Sequence, residues 1–346
     1  MKIFILIFCI LIILFKTGNV LSNNNIFNVN NVEINKEISK NEEILVNQAF
    51  KKAFEELSKR LLLEKDRLVV SSINLSEIKK LILYYQITNP IKDDRNKIMV
   101  NVFFDKDKMH NFFYTRNILY SDIINTDVVL FPLLIKENQY FIYNKNFFYE
   151  NWNFNKNENL LQYSLPVENI ESIQKINLNK NDIFNFNVDE FFKEYKSSNK
   201  VFAIIDIKNN NAEVILNTRI DGKKIHKSFS ISEEINFNQK KFNHKILFEV
   251  KKQVRELIKS QNLIDVRTPS FLNVNLKTKN KSNLYEFSNR LKKIDLIDDF
   301  YVQQLNKEYV LVKIKFFGKI YKIKKKLKEQ NINLEMSNGQ WQINII

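Results

Sequence analysis

Asp105, Asp107 and His110 form the densest group of chemistry-capable side chains in the sequence. Two carboxylates and an imidazole within one or two helical turns could take zinc or a hard cation. The same spacing also describes a helix start, with Asp at the positive end of the dipole and an exposed His, and this plainer reading is adopted. A calcium loop is excluded, because its glycine and terminal glutamate are absent. The carboxylate pairs Asp93-Asp94, Glu233-Glu234 and Asp298-Asp299 are adjacent in sequence, so their side chains diverge. Glycoside hydrolysis needs two carboxyls facing each other across a cleft. Gly222-Lys223 and Gly318-Lys319 lack the upstream glycine and the following Ser or Thr of a phosphate loop, and read as turns. With four glycines, at 18, 222, 318 and 339, no G-x-S-x-G elbow can be written. Nothing positions a serine beside His110, His226 or His244. No catalytic, cofactor-binding or metal-ligating residue is expected, and no cofactor.

A run of lysines is the one binding feature. From 313 to 328 there are eight lysines and no acid. Ile320, Ile323 and Leu327 are expected to face inward on a helix over 319–330. That leaves Lys319, Lys322, Lys325, Lys326 and Lys328 as candidates for an anionic surface: lipid headgroups, a cell-wall polymer or an envelope protein. No aromatic pattern of an RNA-reading sheet accompanies them, so nucleic acid is disfavoured. The aromatic cluster Tyr140 to Trp152 is expected to be mostly core.

The elements that position these groups read as follows. An amphipathic helix carries Leu45, Ala49, Ala53, Leu57 and Leu61 at steps of four, opened by a capping box at Ser39-Lys40-Asn41-Glu42. A short helix (76–83), two strands (84–88, 97–104) and a helix (105–114) complete an N-terminal α+β region. Strands at 127–135 and 139–143 flank the turn Lys136-Glu137-Asn138. After a strand at 160–167, residues 169–187 read as polar connection, with a helix at 188–195. Strands at 201–207 and 212–218 form a hairpin around Asn209-Asn210-Asn211, and 225–231 adds a third after Asp221-Gly222. A helix at 242–258 turns Ile246, Val250, Val254 and Leu257 inward. Beyond Pro269, a strand, a helix capped by Asn283 with Glu286, two paired strands, the lysine helix and closing strands give β-α-β-β-α-β, a ferredoxin-like arrangement. The expected fold class is therefore α+β, with mixed and antiparallel sheets packed against helices. Its expected divisions are 1-22, 23-118, 119-266 and 270-346.

The N-terminus is an address. Met1-Lys2 precedes thirteen apolar residues, Ile3 to Phe15, ended by Lys16. A signal peptide cleaved between Ser22 and Asn23 is expected. Thirteen helical residues reach roughly 20 Å, short of the ~30 Å hydrocarbon core, so an uncleaved anchor over residues 3–15 is the alternative. Cys9 lies inside this run with bulky Phe8 before it, which argues against lipidation. Without Cys9 the mature chain has no cysteine for a disulfide. Composition agrees with a folded chain, at 44% hydrophobic and 27% charged residues. The net charge of +15 comes from 46 lysines and only eight arginines. Phosphate-gripping proteins usually invest in arginine, whose planar fork binds bidentately.

Three stretches resemble the family known as domain of unknown function 2066. They are the N-terminal strand, Ile26 to Ile34, followed by the helix Asn47 to Leu57 with Arg60-Leu61; Val129-Leu130-Phe131-Pro132-Leu133 with the aromatic stretch ending in Asn151-Trp152; and the tail from Val312 to Gly318 with Asn331 to Leu334 and Trp341. The resemblance implies an exported α+β protein of the Gram-negative envelope, and it supplies no catalytic residues. The expectation is a non-enzymatic periplasmic or envelope binding and assembly module of undetermined oligomeric state. The alternative is a periplasmic hydrolase with a carboxylate-based site.

Overall fold

A computed structural model describes residues 25–39, 41–88, 96–153, 160–233, 238–277, 281–306, 308–337 and 339–345. The expected signal segment with Cys9, and the pair Asp93-Asp94, lie outside the described residues. The fold class is α+β. Contacts divide the chain into two units: residues up to Leu57, Ser72–Leu119 and Ile264–Ile346 form one, and Ser58–Ser71 with Tyr120–Leu263 form the other. The sequence division differs in separating the first and last segments of the first unit.

The first unit holds two sheets. Strand Lys97–Phe104 lies between Asn28–Asn35 and Ile82–Thr88, antiparallel to both. Register shifts between Val29 and Val32, where Asn31 adopts a φ of 61°. The helix Glu42–Leu61 buries Ala49, Ala53 and Leu57. Asn41, not Ser39, caps it: the Asn41 side chain accepts from Glu43 N at 2.8 Å, while Ser39 Oγ accepts from Asn41 N. Helix Leu75–Leu81 is capped by Asn74, and helix Lys106–Thr115 by Asp105, which accepts from Lys108 N.

The second sheet of this unit has five strands, in the order Ile297–Leu305, Tyr309–Phe316, Ser270–Lys277, Gln340–Ile345, Ile332–Ser337. All neighbours are antiparallel except Ser270–Lys277 with Gln340–Ile345, which run parallel. The helices Lys281–Leu291 and Ile320–Glu329 complete the run β-α-β-β-α-β, and one further strand follows. That last strand inserts beside the first one and displaces its predecessor to the edge. Period-two alternation is clean: Leu272, Val274, Leu276, Val310, Val312 and Ile314 are buried, as are Phe287, Leu291, Ile323 and Leu327 of the helices. The expected cap at Asn283 is corrected, since the helix already begins at Lys281 and Glu286 pairs with Arg290 instead.

The second unit is built on a six-stranded sheet. Strand Thr126–Lys136 runs parallel to Asn199–Lys208 and to Leu161–Ser164, and pairs antiparallel with Gln139–Phe141. Asn199–Lys208 continues through Asn211–Ile220 to Lys223–Ser232 as an antiparallel meander. Its turns use Asn209, Asp221 and Gly222 at positive φ, as the tight-turn residues require. Both faces of the sheet are covered. Val128, Leu130, Val201, Ala203 and Ile205 pack with Ile246, Val250 and Val254 of the helix Gln239–Gln261. Val129, Phe131, Leu133, Phe202 and Ile204 pack with Ile176, Ile183 and Phe191 on the other side. Burial on two faces explains why 128–135 reads as one continuous apolar run. The polar connection expected at 169–187 is corrected: it forms the helix Ile170–Leu178, capped by Asn169, and a 3-10 segment Lys180–Asn185, which supply Ile176 and Ile183.

Pro132 lies in a central strand without cost. The ladder with Leu161–Ser164 ends at Val129, and that with Gln139–Phe141 begins at Leu134. Pro132 falls in the gap, with its carbonyl taken by the Asn146 amide at 2.7 Å. The N and C=O of one strand residue point to the same side, so the missing N–H faces a position with no ladder partner.

Candidate anionic-surface interface

The helix Ile320–Glu329 follows Gly318, whose φ of 86° turns the chain out of the sheet. Ile323 and Leu327, four apart, are its buried positions. Ile320 is corrected from the inner stripe, because it stays 40% exposed in the first turn. Lys319, Lys324, Lys325, Lys326 and Lys328 are exposed and Lys322 is half-buried. Glu329 is the helix's sole acid and pairs with Lys326 at 2.8 Å. Lys319 Nζ sits 5.6 Å from the Tyr321 ring centroid. Lys326 and Lys328 suit the negative end of the helix dipole, whereas Lys319 and Lys322 crowd the positive end, where cations are disfavoured. Lys313 and Lys315 do not join this face. They lie on the neighbouring strand, on the side of the sheet away from the helices.

The other flagged residues are dispersed or engaged. His110 is corrected from exposed to buried, at 7% exposure, with its ring 5.6 Å from that of Phe27 and 5.1 Å from that of Phe317. Burial, with Lys106 nearby, lowers its pKa to about 4. Asp107 is exposed, and among the described residues no group of His, Cys, Asp and Glu could hold a metal. His226 Nδ1 meets Asn217 Oδ1 at 2.7 Å, and the His244 ring packs edge-on to Phe147. Glu233 pairs with Lys245. Gly222 and Gly318 are positive-φ turn residues. The aromatic cluster is core: Phe148 and Trp152 are fully buried and Tyr143 nearly so.

Asp105, Asp107, Asp298 and Asp299 do share a cleft of about 390 Å³ with Lys106. Three of the four are already engaged. Asp105 caps its helix, Asp298 pairs with Lys315 at 2.7 Å, and Asp299 accepts from Phe300 N. Beneath the cleft the Lys106 ammonium donates to the Ile297 carbonyl, and burial depresses its pKa. Burial raises that of Asp295, which accepts from Ile26 N.

Two buried polar groups escaped the sequence reading. Asn146 donates through Nδ2 to the carbonyls of Pro132, Phe141 and Ile142, and accepts through Oδ1 from Phe148 N and Tyr149 N. Lys259, fully buried, donates to the carbonyls of Lys59 and Leu62 at 2.6 and 2.8 Å, and lies 3.5 Å from Glu256. Burial lowers its pKa to about 8. Pattern alone could not find either. Asn146 reads as one more asparagine in a loop, and Lys259 as the polar end of an amphipathic helix.

The fold and this surface define an α+β protein of two compact units that carries a lysine-faced helix. No family model matches the chain. No curated protein matches it. Among solved structures, one titled "Crystal structure of uncharacterized protein" is similar at 11% identity, covering 40% of this chain and 92% of its own, with a TM-score of 0.16. A score that low bears on neither fold nor role. No helix among the described residues is long and apolar enough to cross a membrane.

Proposed function

We propose that this is an exported, non-enzymatic accessory module of the cell envelope, one that docks on anionic surfaces through the helix Ile320–Glu329. The observation carrying this reading is the lysine placement. Four exposed lysines and one acid occupy the helix, and its positive dipole end, where Lys319 is the N-cap and Lys322 lies in the first turn, disfavours cations. The dipole disfavours cations there, although Lys319 lies over the Tyr321 ring, whereas attraction to anionic headgroups favours them. Ile320 and Tyr321, both exposed at that end, supply an apolar edge suited to the headgroup boundary. Export rests on the charged, apolar and small-residue pattern of residues 1–22, with an anchor over residues 3–15 as its variant. The resemblance to domain of unknown function 2066 supports the same compartment, the periplasm or envelope. The C-terminal segment is read as a ferredoxin-like domain extended by one strand.

The test is co-sedimentation of the chain from Asn23 onward with vesicles of pure phosphatidylcholine and with vesicles containing phosphatidylglycerol. Binding to the second alone, abolished by Lys324→Glu, Lys325→Glu and Lys328→Glu together, is the expected result. Equal recovery with both vesicle types, or binding indifferent to charge reversal, overturns the reading.

A further inference from the structure

We propose that the open face of the five-stranded sheet, on the side away from the lysine helix, is a binding platform for a glycan chain. This rests on a different surface from the anionic docking helix and stands or falls separately.

The sheet has helices on one face only. Residues of the other face follow from the register. Phe271, Asn273, Asn275 and Lys277 alternate along one strand, opposite Lys315, Lys313, Leu311 and Tyr309. Tyr301 lies opposite Lys313 on the far side, and Gln342 lies opposite Asn275. The rings are presented to solvent: Phe271 is 53% and Tyr301 48% exposed. Two contacts fix them in place. Lys313 Nζ lies over one face of the Phe271 ring, 4.5 Å from its centroid, so a sugar would stack on the other face. The Tyr301 hydroxyl donates to the Asp299 carboxylate, which raises the Tyr301 pKa. Aromatic side chains held on a flat surface offer apolar faces for other flat, weakly polar faces to stack on.

Between and beside the rings the face is rich in amides. Asn273, Asn275, Gln340, Gln342 and Asn344 share it, with Asn275 Nδ2 donating to Gln340 Oε1 at 2.8 Å. Each carboxamide both donates and accepts, as a hydroxyl-bearing ligand requires. None of the eight arginines lies among the strand residues of this face, so the fork that grips phosphates is missing. That separates the platform from a nucleic-acid surface, which would favour guanidinium groups beside its rings. Lys277, Lys313 and Lys315 share the face with Asp299 and Glu335, so its charge is mixed and the rings and amides carry the recognition. Five strands at about 4.8 Å spacing make a platform roughly 20 Å wide, enough for several sugar rings in a row.

The experiment titrates the chain from Asn23 onward with the hexamer of N-acetylglucosamine, and in parallel co-sediments it with purified peptidoglycan sacculi and measures binding to oligo-dT. The expected result is saturable binding to hexamer and sacculi, weakened at least about tenfold by Phe271→Ala or Tyr301→Ala. It should be unchanged by the Lys324→Glu, Lys325→Glu, Lys328→Glu variant. Amide chemical-shift changes confined to 271–277, 301–315 and 340–344 in the unmutated protein give the same answer should a variant misfold. No binding to either carbohydrate, binding that survives both ring removals, or oligo-dT binding lost on ring removal overturns the platform. A platform that fails while vesicle binding persists leaves the anionic-surface reading intact, and the converse holds equally.

Discussion

Asn146 satisfies five backbone groups from a fully buried position, which makes it the most connected single side chain described above. Asn146→Ala removes the amide donor to the carbonyls of Pro132, Phe141 and Ile142 and the cap on Phe148 N and Tyr149 N, and urea unfolding should show a loss of about 2–4 kcal/mol. Asn146→Asp should not rescue, because a carboxylate has no N–H to give. Lys259 carries a pH signature. Its folded pKa of about 8 lies below the ordinary 10.5, so the unfolded chain holds the proton more tightly. Stability from this group therefore rises as pH climbs from 8 to 10.5, by about 3 kcal/mol, and Lys259→Met should erase that rise. Glu256 and Arg255 beside it act in opposite directions on its charge. His110 is the acid counterpart. With a folded pKa of about 4 against 6.5, it costs up to about 3 kcal/mol as pH falls from 6.5 to 4. Asp295, raised by burial, is relieved by acid and opposes this in part. Comparing the melting temperature of the parent with that of His110→Leu across this range isolates the His110 contribution. None of these roles was legible beforehand. Sequence pattern reports faces, whereas Asn146 and Lys259 matter through carbonyls brought to them from elsewhere in the chain.

At the scale of elements the sequence was far more informative where a single periodicity governed. The strands near 201–207, 212–218 and 271–278 follow a period of two with Asn or Gly turns, and each was placed within about two residues of its observed bounds. The helix over 242–258 was read short at both ends, because its cap, Asn238, stands in a polar stretch. Residues 169–187 were missed for a related reason. Asparagine there is both loop-like in composition and the actual cap, at Asn169, of a short helix whose buried side is only Ser172 and Ile176. The helix Glu64–Val70 was missed too, having a single buried residue, Val70. For the lysine helix, the inner positions Ile323 and Leu327 were read correctly and Ile320 was not. An element-level consequence follows for Ile320: its replacement by Ser should leave urea stability within about 0.5 kcal/mol, while Ile323→Ser costs several. If Ile320 also touches headgroups, vesicle affinity falls in the first variant alone.

For the whole molecule, the net charge of +15 spreads well beyond the helix. Electrostatic attraction of this kind weakens as the Debye length shrinks, so vesicle binding should fall about tenfold or more between roughly 0.05 and 0.2 M salt. Glycan binding, carried by rings and amides, should change little across the same range, which distinguishes the two surfaces in one titration. The order of segments has a further consequence. The first unit is assembled from residues at both ends of the described chain, with Tyr120–Leu263 between them; its three N-terminal strands pair with one another, whereas its five-stranded sheet needs the final eighty or so residues. At about 5–20 residues per second, synthesis imposes a wait of roughly ten seconds or longer. During that interval His110 lacks Phe317 and Ile26 N lacks Asp295, while Phe27 and Phe113 already pack on each other. The order of the segments thus delays completion of the first unit until the last of them is made.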